Sequence, residues 1–159
     1  MSSANHPPCG LYRTTRPLDG VPAGRLVYFH NHGNPGAGIY LPQSWASNRA
    51  RWQQNGFTVP DAEWSQSLAP LAPEGLYRVA ERFYCCEKRC RAYEPNQLVQ
   101  LGYNGEAEPL MFVPEWTNGG LGIPERGNKL DASALSKLTL LVVAEGQASQ
   151  QQPAGGLLH

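Results

Sequence analysis

Cys85, Cys86 and Cys90 stand close together in the second half of the chain, with Cys9 far upstream. Thiolates a few residues apart in a loop can chelate one zinc ion, and a closed structural zinc site takes four ligands. The cluster supplies two or three of them. The fourth would come from Cys9, or from His30 or His32. The spacing is not the paired Cys-x-x-Cys signature, and free cysteines are often small buried strand residues. Packing is therefore the favoured account of these thiols and zinc the alternative. A redox role ranks below both, resting on Lys88, Arg89 and Arg91, whose charge would favour a neighbouring thiolate.

The string His30-Asn31-His32-Gly33-Asn34 is the second chemical feature. In an extended strand His30 and His32 point to one face, where two imidazoles would meet a metal or a phosphate. An HNH nuclease spreads its His, Asn and His over a ββα element, so this run does not indicate one. A polar hairpin tip that satisfies its own backbone is the competing account and the stronger one. Cys85 or Cys86 beside His30 or His32 would make a nucleophile and a base, but no carboxylate singles itself out to orient the base. Gly-x-Ser-x-Gly, phosphate-loop and dinucleotide signatures are absent. Catalysis is the less favoured reading.

Binding is favoured instead. Seven tyrosines and four tryptophans, interspersed with arginine, are the residue types that anchor protein interfaces. The expected contact residues are His30, Asn31, His32, Trp45, Arg49, Trp52, Arg82, Arg89 and Arg91. They place the site between the His30–His32 tip and the Cys85–Arg91 loop. A formal net charge of +0 supplies no field for nucleic acid, so a protein or peptide partner outranks single-stranded nucleic acid. No secretory leader or membrane-spanning run is evident, which gives a cytoplasmic expectation. The arginine bias adds a bacterial one, and there the cysteines would be mostly reduced. No cofactor is expected beyond the zinc alternative.

The elements that position these residues come in two rounds. Gly10-Leu11-Tyr12-Arg13, Leu26-Val27, Trp45 and Val59-Pro60 recur in order as Gly75-Leu76-Tyr77-Arg78, Leu98-Val99, Trp116 and Ile123-Pro124. A period of about 65–70 residues suits two copies of a small domain rather than a solenoid. A unit of that size buries only about 60 % of its unfolded surface, so the copies should share a core. Short strands, Pro/Gly turns and a helical turn before the last strand give a mainly β fold whose order resembles an SH3-like barrel. The resemblance is one of element pattern, with no sequence motif behind it. It implies tandem SH3-like β-barrels with short helices, packed as one body.

The expected divisions are a flexible segment 1–9, a first unit 10–73, a second unit 74–145 and a disordered Gln/Gly-rich tail 146–159. Within the first unit, Ser44 as N-cap, Trp45 and Trp52 on one side and Gly56 as a stop predict a helix over 44–54. The second unit has only Thr117-Asn118-Gly119 at that place. Ala69-Pro70 predicts a poor closing strand for unit one, and Thr139–Ala144 a buried one for unit two.

Overall fold

The computed structural model describes residues 5–146. Its first half contains β1 (Gly10–Arg13), β2 (Leu26–His30), β3 (Gly38–Tyr40), β4 (Pro42–Ala46), β5 (Arg49–Trp52), β6 (Phe57–Thr58), helix α1 (Ala62–Gln66) and β7 (Ala69–Pro70). The second half contains β8 (Gly75–Val79), β9 (Phe83–Tyr84), β10 (Ala92–Tyr93), β11 (Leu98–Tyr103), β12 (Pro109–Phe112), β13 (Glu115–Thr117), β14 (Gly120–Gly122) and β15 (Asn128–Lys129). A 3-10 helix (Ala132–Lys137) and β16 (Leu138–Leu140) complete it. The fold is mainly β.

Two five-stranded sheets carry the structure, in the orders β6-β3-β2-β1-β7 and β15-β12-β11-β8-β16. Both trace the same path. Three strands form an antiparallel meander, a fourth joins the outer edge of the third, and the last returns beside the first. The shared Leu-Tyr-Arg strings occupy the first strand of each sheet. Tyr12 and Tyr77 are both buried, and each hydroxyl donates 2.6 Å to a proline carbonyl just upstream, that of Pro8 and of Pro73. Burial pushes the Tyr77 phenol up to about 12.

No sheet among the described residues closes into the expected barrel. The edge strands β6, β7 and β15 are only two residues long, too short to bend round and pair with each other.

The expected helix over 44–54 is a β-hairpin, β4–β5. It turns at Ser47 and Asn48, whose φ angles of 52° and 64° are the left-handed pair required by a tight hairpin turn. A helix this short gains little without tertiary packing, whereas the hairpin buries Ala50 against the second core. The second half has a hairpin at the same place, β13–β14, where only a turn was expected. Ala69-Pro70 does pair, with Tyr12 and Arg13, as prolines can on an edge strand.

The lead-in expected to be flexible is tied down over residues 5–9. His6 packs on Phe29, and the Pro7 carbonyl accepts from Asn31 Nδ2. The final strand is shorter and more exposed than expected: pairing ends at Leu140, and Val142 is fully exposed. The Gln-rich tail beyond residue 146 lies outside the described residues.

Tyr12, Val27, Phe29, Ile39 and Trp64 centre one core, Tyr77, Val99, Leu101, Tyr103 and Met111 the other. The second core also takes Leu26 and Ala50 from the first half, with Trp52, Leu71 and Ala72 packed against it. The hairpin β4–β5 is fastened to β11 by Trp45 Nε1 donating to Tyr103 O at 2.9 Å. Asn48 Nδ2 donates to Gln100 Oε1 and to Pro124 O, while Gln100 Nε2 donates to Ser47 O.

Glu74 accepts the Ala50 N–H at 3.0 Å. Burial raises its pKa above the ordinary value, against the pull of that N–H and of Arg49. A carboxyl with a raised folded pKa contributes stability at low pH, and the contribution is lost as pH rises through the folded pKa. Glu74→Gln keeps the acceptor and removes the charge. It is expected to raise the urea midpoint at neutral pH and to flatten the fall in stability on going up from about pH 4, the carboxylate reference range.

Candidate functional site

Strands β9 and β10 pair and hold a loop that carries all three clustered cysteines. Cys85 N donates to Arg91 O across its neck, and Arg89, at φ 55°, closes a turn by donating its N–H to Cys86 O. Cys85 is buried, Cys86 half-buried and Cys90 exposed, and all four thiols of the chain are free. The Sγ atoms of Cys85 and Cys86 lie 3.6 Å apart, those of Cys86 and Cys90 3.9 Å. With Zn–S bonds near 2.3 Å, tetrahedral geometry sets sulfur atoms about 3.8 Å apart. Two edges of the cluster match that spacing, and all three sulfur atoms lie within 4.8 Å of one another.

The backbone N–H of Cys90 is the main cause of a lowered Cys86 pKa, followed by the Cys85 thiol and the Lys88 N–H. Cys90 is pushed up, chiefly by its contact with Cys86 and then by the charge there. Cys86 is thus the first of this pair to become a thiolate. Three arginines border the loop: Arg82 and Arg89 lie 5.0 and 4.9 Å from the Tyr84 ring centre, and Arg91 lies 5.7 Å from that of Tyr93. Arg82 is also paired with Glu94 at 2.9 Å in solvent, an ion pair of small worth. The three form a cationic rim, which would offset the negative charge of a three-thiolate zinc site.

The other ligating residues form a group of their own. Cys9, His30 and His32 bring one ligand atom each within 4.8 Å of the others, separately from the cysteine loop. The fourth zinc ligand expected from among them is therefore not delivered to Cys85, Cys86 and Cys90, and the histidines face Cys9 rather than Cys85 or Cys86. His30 ends β2 and is buried, while Cys9 and His32 are exposed. Burial, and secondarily His32, lowers the His30 pKa and favours its neutral, ligating form.

The aromatic contact residues divide differently from the expectation. Trp45, Arg49 and Trp52 belong to the hairpin that joins the two halves. Trp45 is bonded to Tyr103 though still 43 % exposed, and Trp52 leans on Tyr28 at 5.8 Å. The matching hairpin of the second half, β13–β14, carries apolar residues outside the expected contact set. There Trp116 is 82 % exposed, with Leu121, Ile123 and, further on, Val142 also in solvent. Its signal is present in the chain, where Trp116 recurs in the place of Trp45.

No family model, curated protein or solved structure matches the chain.

Proposed function

We propose that the chain is a non-catalytic protein-binding module built from two degenerate SH3-like units, 10–73 and 74–145, with the second hairpin as its partner face. One observation carries this reading. Aligned by register, first-half residues that pack on the second half have apolar counterparts that lie open in Trp116, Leu121, Ile123 and Val142, with Leu141 half-buried beside them. Trp45 pairs with Ala50 across its hairpin as Trp116 pairs with Leu121. Trp52 then corresponds to Ile123. Leu71, which donates to Leu11 O, corresponds to Leu141, which donates to Leu76 O. Ala72 corresponds to Val142. In the first half this surface is covered by a strand, β11; in the second half nothing among the described residues covers it.

A two-stranded hairpin is marginal in water by itself. An apolar patch of this kind marks an interaction surface. The partner that fits is a separate protein offering an extended strand with a glycine at the point of closest approach, as β11 offers Gly102. Replacing Leu121 with a photoreactive residue should cross-link the full chain, in extract of the native host, to such a strand of the partner. Trp116→Ala with Leu121→Asp should weaken binding of the partner so identified about 30-fold or more, the scale of a hot-spot loss. Equal capture by wild type and double variant rejects the reading.

The sulfur spacing supports a second function, zinc binding by Cys85, Cys86 and Cys90. Chelator-treated protein should take up one zinc ion at this loop, and Cys90→Ser should lose that ion.

A further inference from the structure

We propose a second metal site, a Cys-His-His centre formed by Cys9, His30 and His32, which takes zinc or a similar divalent ion with its fourth position open to solvent. It is independent of the partner face and of the cysteine loop. Cys9 Sγ lies 3.4 Å from His30 Nδ1, and the rings of His30 and His32 are centred 4.1 Å apart. Zn–S bonds near 2.3 Å and Zn–N bonds near 2.0–2.1 Å put sulfur and nitrogen about 3.5 Å apart around a tetrahedron. The Cys9–His30 pair already has that separation.

The surrounding contacts orient the ligands as a metal centre requires. Asn31 Nδ2 donates to Pro7 O at 3.2 Å, which fixes the amide and turns Oδ1 towards His32. Oδ1 then accepts from His32 Nδ1 at 2.7 Å. With its proton held on Nδ1, His32 keeps the Nε2 lone pair free for a metal, the arrangement that second-sphere carbonyls impose on ligating histidines. Cys9 Sγ accepts the Asn31 N–H at 3.3 Å and donates its own S–H to Asn31 Oδ1 at 3.4 Å; a bound metal would take the place of that thiol proton while the N–H contact to sulfur stays. One residue, Asn31, therefore supports two of the three ligands.

The other half of the chain shows what these positions do without the ligands. Gly10 pairs with Phe29 in the first sheet as Gly75 pairs with Leu101 in the second, so Cys9 corresponds to Glu74 and His30 to Gly102. By the same count Asn31 corresponds to Tyr103 and His32 to Asn104. Glu74 accepts Ala50 N–H, Gly102 lies under the Asn48 carbonyl and Tyr103 O accepts from Trp45. In the second sheet this place receives a hairpin. In the first sheet the same place gathers two imidazoles and a thiol, with the exposed Cys9 and His32 leaving an approach from solvent.

The test is Co2+ titration of the full chain after chelator treatment, read by visible absorption and by metal content. Wild type should bind about two ions per chain, one at each thiolate-bearing group. Cys9→Ser and His32→Ala should each remove one ion and leave the thiolate-rich spectrum of the cysteine loop, and Cys90→Ser should do the reverse. A single ion lost in Cys9→Ser and kept in Cys90→Ser supports this centre and rejects the cysteine-loop reading. Unchanged stoichiometry and spectrum in Cys9→Ser, a single ion lost only in Cys90→Ser, or no bound ion at all overturns the proposal. Cys9 and His32 are exposed, so both variants should keep the wild-type circular dichroism, which is recorded alongside. Asn31→Asp adds a third reading: it keeps the acceptor for His32 Nδ1 and should retain the ion, whereas Asn31→Leu should weaken its binding at least about 10-fold.

Discussion

Gly102→Val is expected to lower stability by about 1–3 kcal/mol, the range for overpacking a filled site. The measurement is a shift in urea midpoint with the slope checked for change. A Cβ at position 102 would stand 2.8 Å from the Asn48 carbonyl oxygen and 3.2 Å from the Phe112 ring. The first obstacle is backbone, in the turn of β4–β5, and cannot swing aside as a side-chain end would. Relief requires the hairpin to lift from β11. That strains the Asn48–Gln100, Gln100–Ser47 and Trp45–Tyr103 hydrogen bonds together. Each is worth about 1 kcal/mol net, and more if a buried partner is left unsatisfied. Gly102→Ala, with the same Cβ and nothing beyond it, should show a smaller shift in the same direction. If Gly102→Val melts like wild type, the close approach of hairpin and strand is not a feature of the folded chain.

That contact also explains which parts of the fold were legible in the sequence. The mainly β character and the recurring Leu-Tyr-Arg strand were legible: Tyr12 and Tyr77 both lie in the first strand of their sheets, with hydroxyls donated to the carbonyls of Pro8 and Pro73 four residues upstream. In α1 local chemistry suffices: the Asp61 carboxylate accepts the Trp64 N–H as an N-cap should. The β4–β5 hairpin was not legible. Trp45 and Trp52, seven apart, satisfy a helical stripe, and Ser47-Asn48 lacks the glycine that usually advertises a tight hairpin turn. What decides the conformation is a surface tens of residues away: Gly102, Gln100 and Tyr103 receive the hairpin. Local pattern carries no information about that surface.

The ligand groups were misjudged for a related reason. Cys9 looked like a spare ligand for a distant loop, because the sequence does not show that the carbonyl of Pro7 and the side chain of Asn31 hold the lead-in against the end of β2. Proximity in the chain correctly gathered Cys85, Cys86 and Cys90. It could not assign Cys9, whose neighbours are set by sheet register.

Ala50→Asp and Leu121→Asp are the same change at places that correspond in the two hairpins, and opposite results are expected. Ala50 is 1 % exposed in the second core, and its N–H is held by the Glu74 carboxylate. A second carboxylate there would be desolvated and would face Glu74, with no basic group supplied to pair it beyond Arg49. An uncompensated buried charge costs about 3–5 kcal/mol, a large part of the total stability of a small domain at about 5–15 kcal/mol. Ala50→Asp should therefore melt far earlier than wild type, recovering in part at low pH as the new carboxyl is protonated. Leu121 is 51 % exposed, so Leu121→Asp should stay within about 0.5 kcal/mol of wild type, as surface substitutions do. Its effect should appear only with the partner present, as lost binding. The first hairpin is then indispensable to the fold because its face is already occupied, and the second dispensable because the corresponding face is still open. Should Leu121→Asp destabilise the isolated chain as strongly as Ala50→Asp, the second hairpin is part of the core and not a docking face.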